Sequence, residues 1–166
     1  MDVKEIIISQ YLASLEMLKK AVTDCPDSLW DDSKSGNKFW HIAYHALFYA
    51  QLYLADSENA FVPWSRHRMH YEHLGPLPSP PHTKPEIGEP YTREDVLEYL
   101  AVCQAEVVAG IGAVRLDAES GFPWLPFSKL EVQFYNIRHI QHHVGTLYDR
   151  LGSVGGTNQV WVRMKP

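Results

Sequence analysis

The sequence contains little cysteine. Only Cys25 and Cys103 occur among its 166 residues, and they lie far apart and at no metal-binding spacing. The simplest interpretation is two reduced thiols in a cytoplasmic protein, with no part in a metal site.

Basic runs and long hydrophobic runs are absent as well. The formal net charge is −5 at pH 7 and no basic run offsets it, which argues against nucleic acid as the main partner. No segment reaches the roughly 20 uncharged apolar residues that a membrane-spanning helix needs. The first residues, Met1 to Glu5, start acidic and lack the basic-then-apolar order of a signal peptide. These absences predict a cytoplasmic protein with neither nucleic acid nor a membrane as its partner.

Hydrophobic residues, by contrast, make up 45% of the chain, and the length suits one domain that spans residues 1–166. Apolar residues at three- and four-residue spacings predict four helices. They cover about 3–22, about 38–55, the segment from the cap Thr92 to about 114, and the segment from the cap Ser128 to about 151. The second is apolar on nearly all sides, which predicts a helix buried on most of its surface.

Four helices without a convincing strand predict an all-α fold, specifically a four-helix bundle. The first and last connections are short, so they are expected to join antiparallel neighbours. The central connection, residues 57–91, is a long proline-rich loop that can return along the bundle. The second and third helices could therefore run parallel, in an up-down-down-up order.

Histidines four residues apart occur in two of the predicted helices. In the fourth helix, His139 and His143 project from one face, a spacing that suits two imidazoles on one divalent metal ion, while His142 points almost to the opposite side. In the second helix, His41 and His45 lie in a very apolar setting, where a polar group needs a metal or a hydrogen bond. The alternatives are ordinary polar-edge histidines in the fourth helix, and in the second a neutral core histidine bonded to a tyrosine or a backbone carbonyl.

If these two helices face each other, His45 or His41 could meet His139 and His143 near one end of the bundle. Three neutral imidazoles with an open fourth position are typical of a catalytic zinc-type site, whereas structural sites are usually closed by four ligands. Imidazole suits zinc and nickel alike, so the pattern predicts a divalent metal without naming it.

The order of these histidines resembles that of the DinB-like (YfiT-like) four-helix-bundle proteins. Their shared features are a histidine in the second helix and a His-x-x-x-His pair in the fourth, usually followed by Gly and a polar residue. Residues 138–147, RHIQHHVGTL, are close to the second feature, with Thr146 where Gln is more usual. In the second helix, His45 matches best as the family histidine, and His41 is the fallback.

The resemblance implies a fold, a site and a class of activity. The fold would be the up-down-down-up bundle, and a homodimer is expected because dimers are common in the family. His45, His139 and His143 would bind a divalent metal such as nickel or zinc in a cleft between the second and fourth helices. Relatives with known activity are metal-dependent thiol transferases or hydrolases, which implies a small-molecule substrate and a low-molecular-weight thiol as a possible cofactor.

We therefore expect a metal-dependent enzyme that activates a thiol or water against a small molecule. Tyr49, one turn beyond His45, is the candidate for positioning substrate or donating a proton, with core packing as the alternative. Asn136 could orient a ligand, and three side chains of the long loop are expected to wall the pocket: Trp64, Met69 and Tyr71. Two other functions stay open, a non-catalytic metal-binding stress-associated protein and a metal-free structural dimer whose histidines only hydrogen-bond one another.

Overall fold

The computed structural model describes residues 2–34, 36–155 and 160–165, and over these residues the fold is all-helical. Its five α-helices are α1 (Val3–Asp24), α2 (Asp27–Trp30), α3 (Phe39–Leu52), α4 (Arg93–Gly110) and α5 (Lys129–Ser153). A 3-10 turn, Glu58–Ala60, lies between α3 and α4, and the described residues form no strand beyond an isolated bridge between Glu119 and Ser128. The all-α class predicted from the sequence is therefore confirmed.

Side-chain caps start three of the four long helices, α1, α4 and α5, whereas the N-cap residue of α3, Lys38, makes no side-chain capping bond. The side chain of Asp2 accepts a hydrogen bond from the backbone N–H of Lys4 at the start of α1. Thr92 and Asp95 form a reciprocal capping box at the start of α4. Such caps satisfy the otherwise unpaired N–H groups of the first turn. The caps at Thr92 and Ser128 were predicted from the sequence, and the cap at Asp2 was not.

Helix ends and one short helix differ from the prediction. α3 ends at Leu52, before the predicted 55, and α4 ends at Gly110, before the predicted 114, where glycine has a low helix propensity. Pro26 ends α1 because it cannot continue the hydrogen-bond ladder, but a further turn, α2, follows and buries Leu29. A single turn carries too few residues to show a helical period in the sequence.

The core lies between the four long helices. α1 and α3 each pack against both α4 and α5. Trp40, Tyr44 and Leu47 of α3 are completely inaccessible to solvent, in agreement with the apolar sequence of that helix. Burial of each such side chain stabilises the fold by about 1.5–3 kcal/mol. This packing holds the two histidine-bearing helices, α3 and α5, against each other.

None of the described helices is both long and apolar enough to cross a membrane. The most apolar of them, α3, is only 14 residues long.

The connection from α3 to α4 packs against both of the helices that it joins. Trp64 stacks on Tyr99 of α4 with ring centroids 4.7 Å apart, and Tyr71 is buried against Trp40. The turn at residues 70–73 therefore lies beside α3, where the backbone carbonyls of Tyr71 and Glu72 face histidine side chains of that helix.

Candidate metal centre

Three imidazoles, one from α3 and two from α5, converge at a single point. Nε2 of His139 lies 3.2 Å from Nε2 of His45 and 3.1 Å from Nε2 of His143. One ligand nitrogen from each histidine lies within 4.8 Å of the other two. The four-residue spacing places His139 and His143 one turn apart on the same face of α5. The structure thus brings together the three histidines that the sequence singled out.

The spacing of the nitrogens suits one divalent cation. With metal–nitrogen bonds of about 2.0–2.1 Å, two ligands are about 3.3–3.4 Å apart at a tetrahedral angle and about 2.8–3.0 Å apart at a right angle. The two observed separations, 3.1 and 3.2 Å, fall between these values. Small side-chain rotations would therefore suffice to place these two pairs of imidazoles on one ion.

Backbone carbonyls of the long loop distinguish His45 from His41. Nδ1 of His45 donates a hydrogen bond to the carbonyl of Glu72 at 2.6 Å. Because a carbonyl only accepts, Nδ1 carries the proton of the neutral ring, and Nε2 presents its lone pair to the other two histidines. His41 instead donates from Nε2 to the carbonyl of Tyr71 at 2.8 Å, so it is the carbonyl-bonded core histidine of the second helix rather than a member of the cluster.

Hydrogen bonds among the three histidines alone leave the cluster incompletely satisfied. Each ring nitrogen has one in-plane site, which holds either a proton or a lone pair, so Nε2 of His139 makes at most one well-aligned bond to its two neighbours. Nδ1 of His139, which would carry the ring proton if Nε2 bound a metal, is buried and has no hydrogen-bond partner among the described residues, so this atom does not distinguish the two arrangements. One cation would accept the lone pairs of all three Nε2 atoms, and the donor set therefore fits a metal better than a purely hydrogen-bonded cluster.

The environment of the three histidines lowers their pKa values and so favours the neutral form of each ring. Burial, followed by the proximity of another imidazole, lowers the pKa of His45 and of His143 to about 3 and that of His139 to about 4. Desolvation penalises the imidazolium form, and a second positive charge nearby would penalise it further. At neutral pH all three rings are therefore neutral, which is the form that binds metals.

A cavity of about 640 Å³ opens beside this cluster and is lined by His45 and His139. Its volume lies in the range of about 300–1,000 Å³ that is usual for small-molecule sites. Tyr49, the sequence-predicted catalytic candidate, also lines it, with its ring centroid 4.8 Å from that of His45 and 5.4 Å from that of His139. The ring of Tyr49 thus lies at the border between the imidazoles and the cavity.

Glu72 and His73 line the same cavity. Glu72 was not predicted from the sequence, and His73 was expected to be no more than a weak, exposed ligand candidate of the loop. Oε1 of the Glu72 carboxylate lies 3.3 Å from Nε2 of His73. Its other oxygen, Oε2, is buried and has no hydrogen-bond partner among the described residues. A loop has no periodicity from which its side-chain directions can be predicted. The only available signal was the density of titratable residues between His67 and His73.

The loop side chains predicted to wall the pocket lie elsewhere. Trp64 packs on Tyr99, Tyr71 packs on Trp40, and the side chain of Met69 is 75% exposed, so none of the three lines the cavity beside the histidines. The expectation rested on their apolar character, but two of them cover the α3–α4 core instead.

Asn136 is fully buried where α5 packs against α3, and it does not line the cavity. Its amide nitrogen donates to the carbonyl of Ala50 at 3.0 Å, which joins α5 to α3. Its Oδ1 has no hydrogen-bond partner among the described residues, as is also true of Nδ1 of His139, three positions along the same helix.

Two further features of the described residues are weaker candidates for a site. His70, Glu72 and His73 place one ligand atom each within 4.8 Å of one another, but the Glu72 carboxylate is already adjacent to His73. A cavity of about 620 Å³ is formed by the loop between residues 117 and 128, which contains no histidine.

Comparison with known proteins agrees with this geometry. The sequence model of the DinB superfamily matches residues 10–147, which include all three converging histidines. No curated protein and no solved structure gives a significant match.

Proposed function

The chain belongs to the DinB superfamily, and from this premise we propose that it is a metal-dependent enzyme acting on a small molecule. His45, His139 and His143 hold one divalent cation, nickel or zinc, and the adjoining cavity holds the substrate. The observation that carries the proposal is the convergence of three neutral imidazoles at the wall of a cavity of small-molecule size.

A cation held by His45, His139 and His143 would supply positive charge that lowers the pKa of a thiol or a water molecule, which would give a nucleophile at neutral pH. The reaction class is thiol transfer or hydrolysis, with a low-molecular-weight thiol as the cosubstrate in the first case. The protein's own contribution begins with the Glu72 carbonyl, which fixes the ring orientation of His45.

Tyr49 positions the substrate in this proposal. Burial raises the pKa of its hydroxyl, so the phenol stays protonated at neutral pH and is able to donate a hydrogen bond or a proton.

The remaining parts of the proposal concern the assembly. We propose that the four long helices form a bundle in up-down-down-up order and that the protein is a cytoplasmic homodimer. The packing of α1 and α3 on both α4 and α5 supports the bundle.

Metal analysis of protein purified without a histidine tag tests the ligand assignment. Wild-type protein should carry one equivalent of metal, whereas His45→Ala, His139→Ala and His143→Ala should each lose it because two imidazoles remain. His142→Ala is the matched control, since this exposed histidine of α5 is not part of the converging group. A full equivalent retained by His139→Ala and His143→Ala would show the assignment to be wrong.

Turnover of a thiol with an electrophile separates the enzyme from a metal-binding protein without activity. We expect product formation that disappears on chelation and returns when metal is restored. Silence across a broad panel of thiols and electrophiles, with the metal bound, would favour the non-catalytic function.

A further inference from the structure

The cavity beside the histidines has an unusual lining. Six aromatic side chains contribute to it: Phe48, Tyr49, Tyr53, Phe61, Trp124 and Tyr135. Its only formally charged side chains other than histidine are the carboxylates of Glu58 and Glu72, and no lysine or arginine is among the described residues that line it.

The aromatic rings extend away from the metal centre. Tyr49 adjoins the imidazoles, and Tyr53 follows with its ring centroid 5.7 Å from that of Tyr49. Tyr135 meets Tyr53 edge to face at 5.5 Å, and the indole N–H of Trp124 donates to the hydroxyl of Tyr53 at 3.3 Å. Tyr53, Trp124 and Tyr135 therefore form adjoining walls beyond Tyr49, a group called here the aromatic box. Tyr135 lies one helical turn before His139 on α5, so the box adjoins the metal centre on that side.

A carboxylate lies at the rim of the same cavity. The backbone N–H of Glu58 donates to the carbonyl of Gly121 at 3.2 Å, and this bond ties the 3-10 turn to the loop that carries Trp124. Glu58 is exposed and lines the cavity, so its negative charge lies near the opening without being neutralised by a cationic side chain of the lining.

We propose that the aromatic box binds a compact organic cation, namely the quaternary or tertiary ammonium group of the substrate. This inference rests on the proposed function for the site and specifies the substrate class. Aromatic faces attract alkylammonium groups through the ring quadrupole, and nearby carboxylates strengthen the attraction. Two cationic side chains lie outside the lining, Arg138 at 5.5 Å from the ring centroid of Tyr135 and Lys129 at 4.8 Å from that of Phe122, and the carboxylates of Glu58 and Glu72 are the opposing charges within it.

The charge of a bound metal ion determines the orientation of the substrate. An ammonium group next to a divalent cation on neutral imidazoles would be repelled, so the ammonium group lies in the aromatic box and the reacting end points towards His45 and His139. Without a cationic residue in the lining, an anionic group in the box would face Glu58 and would lose its hydration without a partner.

Three probes of similar size and different charge test the proposal. Choline carries a trimethylammonium group, 3,3-dimethylbutan-1-ol is its uncharged carbon isostere, and 3,3-dimethylbutanoate is an anion. Each is titrated into metal-stripped and zinc-loaded protein while the indole N–H signals are followed by ¹H–¹⁵N NMR, and the Trp124 signal is assigned from its loss in Trp124→Leu.

We expect choline to bind about fivefold or more tightly than the uncharged alcohol, with a shift of the Trp124 signal. Trp124→Leu and Glu58→Gln should each weaken choline binding severalfold and leave the alcohol less affected. Trp161→Leu and Glu94→Gln are the matched controls, since both residues are exposed and neither lines the cavity. Trp124 is 47% exposed, so we expect its replacement by leucine to leave the protein folded, and the ¹H–¹⁵N spectrum of the variant checks this.

Equal affinity for choline and the alcohol, tightest binding of the anion, absence of any shift at Trp124, or unchanged choline affinity in both cavity variants would each overturn the proposal. Metal content is measured separately. Choline selectivity in a protein that binds no metal would remove the proposed enzyme and leave the cation site, whereas metal binding without choline selectivity would remove this inference alone.

Discussion

His45 shows how one side chain links the loop to the centre. Its Nδ1 donates to the Glu72 carbonyl, and its Nε2 faces His139 at 3.2 Å. The first contact determines the tautomer, and the tautomer determines which nitrogen is available as a ligand. His41, four residues earlier, makes the corresponding contact to Tyr71 through the other ring nitrogen, and for this reason it contributes no ligand atom to the cluster.

The first residue-scale prediction concerns pH. Burial holds the pKa of His45, His139 and His143 at about 3 to 4, whereas unfolded histidine titrates near about 6.5. Below that pH the unfolded chain binds protons that the folded chain does not, so the stability of the metal-free protein should fall as the pH decreases from about 6.5 towards 4. Between pH 7.5 and 5.5 the expected loss is roughly 1 kcal/mol per histidine, measured by urea unfolding in the presence of a chelator.

A variant with asparagine at all three positions should lose less stability over the same pH interval, because asparagine takes up no proton in either the folded or the unfolded chain. If the wild-type protein and this variant lost equal stability, the neutral state of the cluster would not be the cause of the pH dependence.

A second residue-scale prediction concerns Asn136. Its Oδ1 and Nδ1 of His139 are both buried and make no hydrogen bond of normal geometry among the described residues, although the Asn136 side chain is close enough to the Tyr11 hydroxyl to influence its pKa. Asn136 and His139 are three positions apart on α5. Because metal-bound histidines usually donate their other ring N–H to an acceptor, we expect Asn136 to orient His139, directly or through a water molecule, when the metal binds. Asn136→Ala should weaken metal affinity about 10- to 100-fold, measured by competition with a coloured chelator.

Gln133→Ala is the appropriate control for Asn136→Ala. Gln133 is also a buried amide of α5, but it accepts from Tyr11 and donates to the carbonyl of Lys129, away from the histidines. It should lower stability without changing metal affinity. An Asn136→Ala variant with wild-type affinity would show that this side chain serves helix packing, through Ala50 of α3 and Tyr11 of α1, and not the metal site.

At the scale of elements, the sequence was informative where a period or a cap exists. The capping box at Thr92 and the apolar face of α3 could be predicted because local chemistry determines them. The paths of the loops could not, because they depend on contacts with distant elements, such as Trp64 on Tyr99. For this reason the converging histidines were identified in the sequence, whereas Glu72 and most of the aromatic lining were not.

At the scale of elements, alanine substitutions at two glycines are expected to change the free energy of unfolding in opposite directions. Gly145 is an exposed residue within α5, and a Cβ added there would meet no other atom within 4 Å, so Gly145→Ala should stabilise the protein by about 0.5–1 kcal/mol. Gly121 has a φ of +81°, and a Cβ there would lie 2.1 Å from the carbonyl oxygen of Asp56, so Gly121→Ala should destabilise it. Urea unfolding of both variants measures the difference.

The same pair separates stability from the site. Gly121→Ala should also disturb the bond from Glu58 to residue 121 and with it the rim of the cavity. Gly145→Ala should leave metal content unchanged. A destabilised Gly145→Ala variant would indicate that the backbone of α5 beside His143 requires glycine for a reason other than helix propensity.

At the scale of the whole molecule, the candidate site joins segments that are distant in the sequence. His45 and His139 are 94 residues apart, and they belong to helices that meet only through tertiary packing. A metal on these residues therefore binds the folded state and not the unfolded one, so its binding free energy adds to the stability of the fold. With free zinc at 100 times its dissociation constant, the free energy of unfolding should rise by about 2.7 kcal/mol and the midpoint of thermal unfolding by roughly 5–10 °C.

Thermal unfolding with zinc and with a chelator measures this stabilisation, and two variants determine its origin. His142→Ala should show the same increase as the wild-type protein, because that ring lies outside the converging group, whereas His143→Ala should show little or none. An undiminished increase in His143→Ala would mean that zinc stabilises the protein from another position. The group His70, Glu72 and His73 is then the alternative, and a His73→Ala variant would lose the increase instead.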